Sequence, residues 1–181
     1  PLNPKESPMK KPFSGVLLAL LVAALPATAA ELSVRVELPQ LQVAEYHRPY
    51  LAVWLERVDQ NAPITHLAVW YDQKKRDNAG TKWLKDMRQW WRKGGRDLAV
   101  PADAVTSATR APGVHHLSFT AGKAPLGNLA AGEYQLLVEA SREAGGREVV
   151  RVPLTWPPKS AQNATAKGQE ELGAVTVQLK P

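Results

Sequence analysis

The chain has 181 residues, 44% of them hydrophobic, which accommodates one domain with a sizeable core and a removable or flexible end. It contains no cysteine, so disulfides, thiolate metal sites, c-type haem attachment and iron–sulfur clusters are excluded and any redox role needs another cofactor. Of the formal net charge of +6, Lys5, Lys10 and Lys11 against Glu6 put two units before residue 30; the rest is mildly basic, as expected of a soluble exported protein and not of a dedicated nucleic-acid binder.

Met9-Lys10-Lys11 is followed by the apolar run Val16–Leu25 and by the small-x-small triplet Ala27-Thr28-Ala29. This is the pattern of a secretory signal, with Met9 as initiator and cleavage after Ala29 or, alternatively, after Ala30. The apolar run is too short for a transmembrane span. Residues 1–29 are therefore expected to be a leader with the signal peptide, in which Pro1–Pro8, ahead of Met9, carry no function, and residues 30–181 a single domain.

That domain opens with Leu32–Leu38, where apolar and polar residues alternate at the period of a half-buried strand. Strands are expected again at Tyr50–Arg57 and Ile64–Tyr71, joined by a turn over Asp59–Pro63. Both are apolar on two faces, which predicts a sheet covered on both sides. From Thr81 to about Lys93 the period changes: Trp83, Leu84, Met87, Trp90 and Trp91 fall at helical spacing among Lys82, Lys85, Arg88, Arg92 and Lys93. This predicts one basic amphipathic helix, capped by Thr81 and stopped by Gly94-Gly95, with its tryptophans facing the sheet. Further strands are expected at Val114–Phe119, at Gly132–Ala140, in a hairpin through Ala144-Gly145-Gly146 to Arg147–Trp156, and at Gly173–Leu179. Residues Pro157–Glu170 are polar and read as a flexible excursion. The sum is a mainly β protein, an immunoglobulin-like β-sandwich with one inserted amphipathic helix.

The stretch Asp103-Ala104-Val105-Thr106-Ser107-Ala108-Thr109 lies between two of these segments and holds three hydroxyls and one carboxylate. Read from its residues alone it is a solvated loop with a Ser/Thr turn or an Asp helix cap. It also resembles the loop of bacterial proteins that carry FMN on a phosphoester bond to threonine, an Asp followed by Gly-x-(Ser/Thr)-Gly-Ala-Thr. Asp103, Thr106, Ala108 and Thr109 match that pattern, while Ala104 and Ser107 stand where glycine is usual. A positive φ at the second of these would suit Ser107 poorly. The resemblance implies Thr109 as flavin acceptor, Asp103 shaping the loop, Ala108 leaving space, and Arg110 pairing with the phosphate. His47, Tyr50, Trp90 and Trp91 are candidates to stack on or line the flavin ring.

Three more stretches resemble a family of predicted periplasmic proteins known only as a domain of unknown function: Tyr46–Trp54, Leu67–Tyr71, and Lys82–Leu84 with Arg88–Arg92. Together with the Asp103–Arg110 loop they cover most of the mature chain. The resemblance implies modification by a FAD:protein FMN transferase and association with membrane proteins bearing PepSY domains. The expected function is that of a periplasmic electron carrier relaying electrons from a membrane reductase to an extracytosolic acceptor. The alternative is a cofactor-free module whose basic Trp-rich helix engages an acidic partner, an anionic head group or a glycan; an independent flavin reductase ranks last, for want of a nicotinamide-binding motif. His115 and His116 are adjacent in a strand and should point to opposite faces, and His47 and His66 lack partners at ligand spacing, so no metal site is expected. No hydrolase or phosphate-loop motif is present.

Overall fold

A computed structural model describes residues 29–59 and 62–181. The expected leader lies outside the described residues as far as Thr28, as do Gln60 and Asn61 of the expected turn. Among the described residues, two sheets stack face to face. One has four strands: β5 (Gly113–Thr120), β1 (Glu31–Leu38), β9 (Ala174–Lys180) and β8 (Gln162–Lys167), in that spatial order. The other has five, in the order β4 (Thr106–Ala108), β3 (Thr65–Tyr71), β2 (Tyr50–Arg57), β6 (Gly132–Ser141) and β7 (Arg147–Trp156). Every pairing is antiparallel except β3 with β4, which run parallel. The sandwich expectation therefore holds.

The period-2 patterns of the sequence decide the core. Leu32, Val34, Val36 and Leu38 of β1 and Val175, Val177 and Leu179 of β9 point inward against Leu51, Val53 and Leu55 of β2 and Leu136 and Val138 of β6. The five-stranded sheet is also covered on its outer face, as the two-sided apolarity of β2 and β3 requires. There Tyr50, Ala52, Trp54, Val69, Tyr71 and Leu137 pack under Leu84, Met87 and Trp90. Burying side chains of this size is worth roughly 1.5–3 kcal/mol each, so the segment over residues 76–97 is a third layer and not an ornament.

That layer is built differently from the single helix expected. A 3₁₀ segment (Arg76–Asp86), interrupted at Asp77 and Asn78 where φ is 53° and 54°, leads to Met87 at ψ 72°, and only then does a six-residue α-helix begin, α1 (Arg88–Lys93). Thr81 is not the cap; its hydroxyl donates to the Asn78 carbonyl at 2.8 Å. The reason for the restart lies in another element. Glu139, in the middle of β6 and fully buried, accepts the backbone N–H groups of Gln89 (3.1 Å) and Trp90 (2.7 Å), satisfying donors at the start of α1. The expected stop at Gly94-Gly95 is correct, and a side chain at Gly95 would meet the Trp90 ring at 2.5 Å. Trp90 is core, whereas Trp83 is 40% exposed.

Two further expectations are corrected. The supposedly flexible stretch 157–170 contains β8, paired along its length with β9, with Ala164 and Ala166 against the core. Just after it, the Glu148 carboxylate accepts the backbone N–H groups of Gln169, Glu170, Glu171 and Leu172 at 2.6–3.1 Å and pins the turn. Residues 106–108 are not loop but the edge strand β4.

Candidate functional site

Parallel pairing of β4 with β3 sets Thr106 beside Val69, Ser107 beside Trp70 and Ala108 beside Tyr71, so the two strands finish at the same end of the sheet. Antiparallel β2 begins at that end, and the β6–β7 hairpin turns there. A cleft of about 350 Å³ opens between these termini. Its walls are Ala108 and Thr109 after β4, Asp72, Gln73, Lys74 and Lys75 after β3, Tyr46, His47, Arg48 and Tyr50 before β2, and Glu143 from the hairpin. Residues far apart in sequence are thus brought to one place by strand direction alone.

The β4 turn is closed by Thr106 and not by Asp103, which is exposed. The Thr106 hydroxyl donates to the Ala102 carbonyl and accepts from the Ala102 N–H, both at 3.0 Å, while Thr106 N–H also donates to the Ala102 carbonyl at 2.9 Å. The positive φ of the turn falls on Ala104 (60°); Ser107 sits in extended strand geometry and needs no glycine.

The floor of the cleft is fixed. The buried Tyr50 hydroxyl donates to the Gly80 carbonyl at 2.9 Å, and burial pushes its pKa up to about 12, so the ring is a neutral wall. Gly80 packs so closely on the end of β3 that a Cβ there would lie 1.8 Å from the Asp72 carbonyl oxygen. Burial also raises the pKa of Tyr46. Three cations, Arg48, Lys74 and Lys75, stand against the carboxylates of Asp72 and Glu143. Lys75 is tied to Glu143 at 3.1 Å and lies 5.5 Å from the centre of the Trp83 ring. His47 pairs with Glu45 at 3.2 Å near the mouth. Lys74 is exposed and makes no ion pair among the described residues.

Of the residues singled out from the sequence, His47, Tyr50, Ala108 and Thr109 share this cleft. The others do not line it. Arg110 lies with its guanidinium 4.2 Å from the centre of the Trp70 ring, whose other neighbour is the His115 ring, edge-on. Trp90 is fully buried, and its indole N–H donates to Nδ1 of His66 at 3.0 Å; burial lowers the His66 pKa, in keeping with an unprotonated acceptor. Trp91 belongs to a separate shallow basin with Lys85, Arg88, Arg92 and Arg147. Within β5, His115 is half-buried and His116 exposed, on opposite faces. Sequence reasoning missed Tyr46, Arg48, Lys74, Lys75 and Glu143. The Lys74-Lys75 pair at the end of a strand was the available signal, since cations at strand ends gather wherever strands terminate together.

A cleft of this volume is in the range that holds small ligands. Two tyrosines and a histidine give it flat, partly apolar walls, and its cations suit a phosphate. Aromatic walls beside Arg48, Lys74 and Lys75 are the chemistry that a ligand with a flat ring and a phosphate would need.

Comparison with known proteins gave one family: the model described as predicted periplasmic protein (DUF2271) matches residues 31–174. No curated protein and no solved structure matches the chain.

Proposed function

The chain belongs to the DUF2271 family of predicted periplasmic proteins, and from that premise we propose that it is a periplasmic electron carrier holding FMN on Thr109. The observation that supports this reading is the company Thr109 keeps: it sits half-buried at the wall of a cleft with two tyrosines, a histidine and three cations. A solvated linker threonine would have no such surroundings.

In the attachment step the Thr109 hydroxyl oxygen forms a bond to the flavin-side phosphorus of FAD, the bridging P–O bond breaks, and AMP leaves. The hydroxyl proton passes to a base on the transferase, because a threonine hydroxyl is not nucleophilic at neutral pH. This chain contributes presentation. β4 holds Ala108 and Thr109 at a sheet edge, where another protein can reach them, and Ala108 adds no bulk beside the acceptor. Lys74 and Arg48 would neutralise the phosphate; Tyr50, locked on Gly80, would wall the ring without donating to it. Bound FMN would supply one- and two-electron transfer. The partners that this reading calls for are a FAD:protein FMN transferase and a membrane reductase of the PepSY type.

The test is the intact mass of protein exported together with a flavin transferase. An FMN adduct on the peptide containing Asp103–Arg110, absent from Thr109→Ala, is the expected result. An unmodified mass, with the transferase active on a control substrate, would overturn the reading.

A further inference from the structure

The third layer leaves a second feature outside the cleft. Along residues 82–92 the exposed side chains are Lys82, Trp83, Lys85, Arg88 and Arg92, with Trp91 half-buried among them. Lys85, Arg88, Trp91 and Arg92 form the walls of the shallow basin described above, of about 360 Å³. Arg88 also borders a second hollow, of about 250 Å³, with Trp83 and Asp86. Glu143 lines both that hollow and the Thr109 cleft, so the basic face and the cleft share a wall at the β6–β7 hairpin.

The charge on this face is uncompensated for a structural reason. The carboxylates that could neutralise it are spent inside the fold. Glu139 is taken by Arg147 and the α1 amides, Glu171 by Arg142 and the Gly146 N–H, and Glu56 by Lys93 and the Trp54 indole. Lys82, Lys85, Arg88 and Arg92 make no ion pair among the described residues, and Asp86 is the carboxylate left at the rim. Indole rings at the surface, interleaved with unpaired lysine and arginine, match the boundary of an anionic bilayer: the cations meet head groups and the indoles settle at the interface. The basin is too open to enclose a small anion.

We propose that this face docks the protein on an anionic phospholipid surface, with Lys82, Lys85, Arg88 and Arg92 on the head groups and Trp83 and Trp91 at the interface. The inference stands apart from the flavin reading, since it uses neither Thr109 nor a cofactor. Docking would hold the Glu143 hairpin, which is also a wall of the cleft, toward the membrane.

The experiment is co-sedimentation of the exported, unflavinylated protein with vesicles of phosphatidylcholine alone or containing about a third phosphatidylglycerol, with tryptophan emission read in parallel. Each cation near an anionic surface raises partitioning about fivefold. Binding to the anionic vesicles, weakened by added salt and accompanied by a blue shift, is expected. The triple variant Lys85→Gln/Arg88→Gln/Arg92→Gln should lower it about a hundredfold. The control Lys159→Gln/Lys167→Gln/Lys180→Gln removes equal charge from exposed positions elsewhere and should leave it nearly unchanged. Equal binding to both kinds of vesicle, no binding to either, or equal losses in the two triple variants would overturn the proposal.

Discussion

Glu139→Gln tests the linkage between sheet and third layer most directly. The Glu139 side chain is fully buried and receives three donors: Gln89 N–H at 3.1 Å, Trp90 N–H at 2.7 Å and the Arg147 guanidinium at 2.7 Å. Hydrogen bonds to a charged acceptor contribute roughly 1.5–3 kcal/mol each, and a buried donor left without a partner costs roughly 1–3 kcal/mol. The glutamine amide keeps the size of the carboxylate but offers one oxygen for three donors, and its NH₂ must face at least one of them. Arg147, 38% exposed on its side chain, can turn to water, so its share is the smaller. The net loss works out at about 2–4 kcal/mol, a large part of a typical folding free energy of roughly 5–15 kcal/mol.

Urea unfolding followed by circular dichroism measures that loss. Amide hydrogen exchange locates it, because Gln89 and Trp90 should lose protection ahead of the β1–β9 ladder. If the midpoint moves by less than the equivalent of about 1 kcal/mol, or the two amides stay as protected as before, then the carboxylate does not start α1 and the account of the broken helix is wrong.

Three other outcomes follow from the structure. Tyr50 has a folded-state pKa of about 12 against an ordinary 10.0, so its contribution is complete below pH 10 and is lost as pH rises through 12; the alkaline wing of a stability–pH curve should flatten in Tyr50→Phe. Burial alone would raise the Glu148 carboxyl, but the amides of Gln169, Leu172, Glu170 and Glu171 hold it below the usual range, so its contribution is present above its unfolded pKa and is lost as pH falls through the lowered value; Glu148→Gln should remove part of the acid-induced loss of stability. Ala104 has a φ of 60°, so Ala104→Gly should raise the unfolding free energy by up to about 1 kcal/mol, whereas Ser107→Gly, in a strand, should lower it by about 0.5–1 kcal/mol; denaturant midpoints would separate them.

Most strands were legible because a half-buried strand writes its period into the sequence. β1, β2, β7 and β9 each carry large apolar residues at every second position or on both faces. β8 does not: its core-facing residues are Ala164 and Ala166, too small to stand out against Asn163 and Thr165. The helix was misjudged for a different reason. Leu84, Met87 and Trp90 do face the sheet, and helical spacing accounts for them, but the backbone restarts at Arg88 because a residue in β6, remote in sequence, supplies its first acceptor. The clue was present in Leu136-Leu137-Val138-Glu139-Ala140, where a carboxylate inside an apolar run must find buried partners.

The cleft was only half legible, and the missing half is topological. Nothing in Thr106-Ser107-Ala108 announces a three-residue edge strand, still less a parallel one, yet that pairing is what carries Thr109 to the end of β3 and next to Tyr50 and His47. The same pairing changes what the two departures from the FMN-loop pattern mean. Ser107 was the doubtful residue if its position required a left-handed backbone; in an extended strand opposite Trp70 it does not, and the left-handed residue is Ala104. The conformational cost therefore falls before the strand, in the turn that Thr106 closes on Ala102. Under the proposed flavin reading, Ser107 would bear on attachment only through its side chain, as a hydroxyl at the sheet edge that a transferase would have to accommodate, and that separates a question of fold from one of recognition.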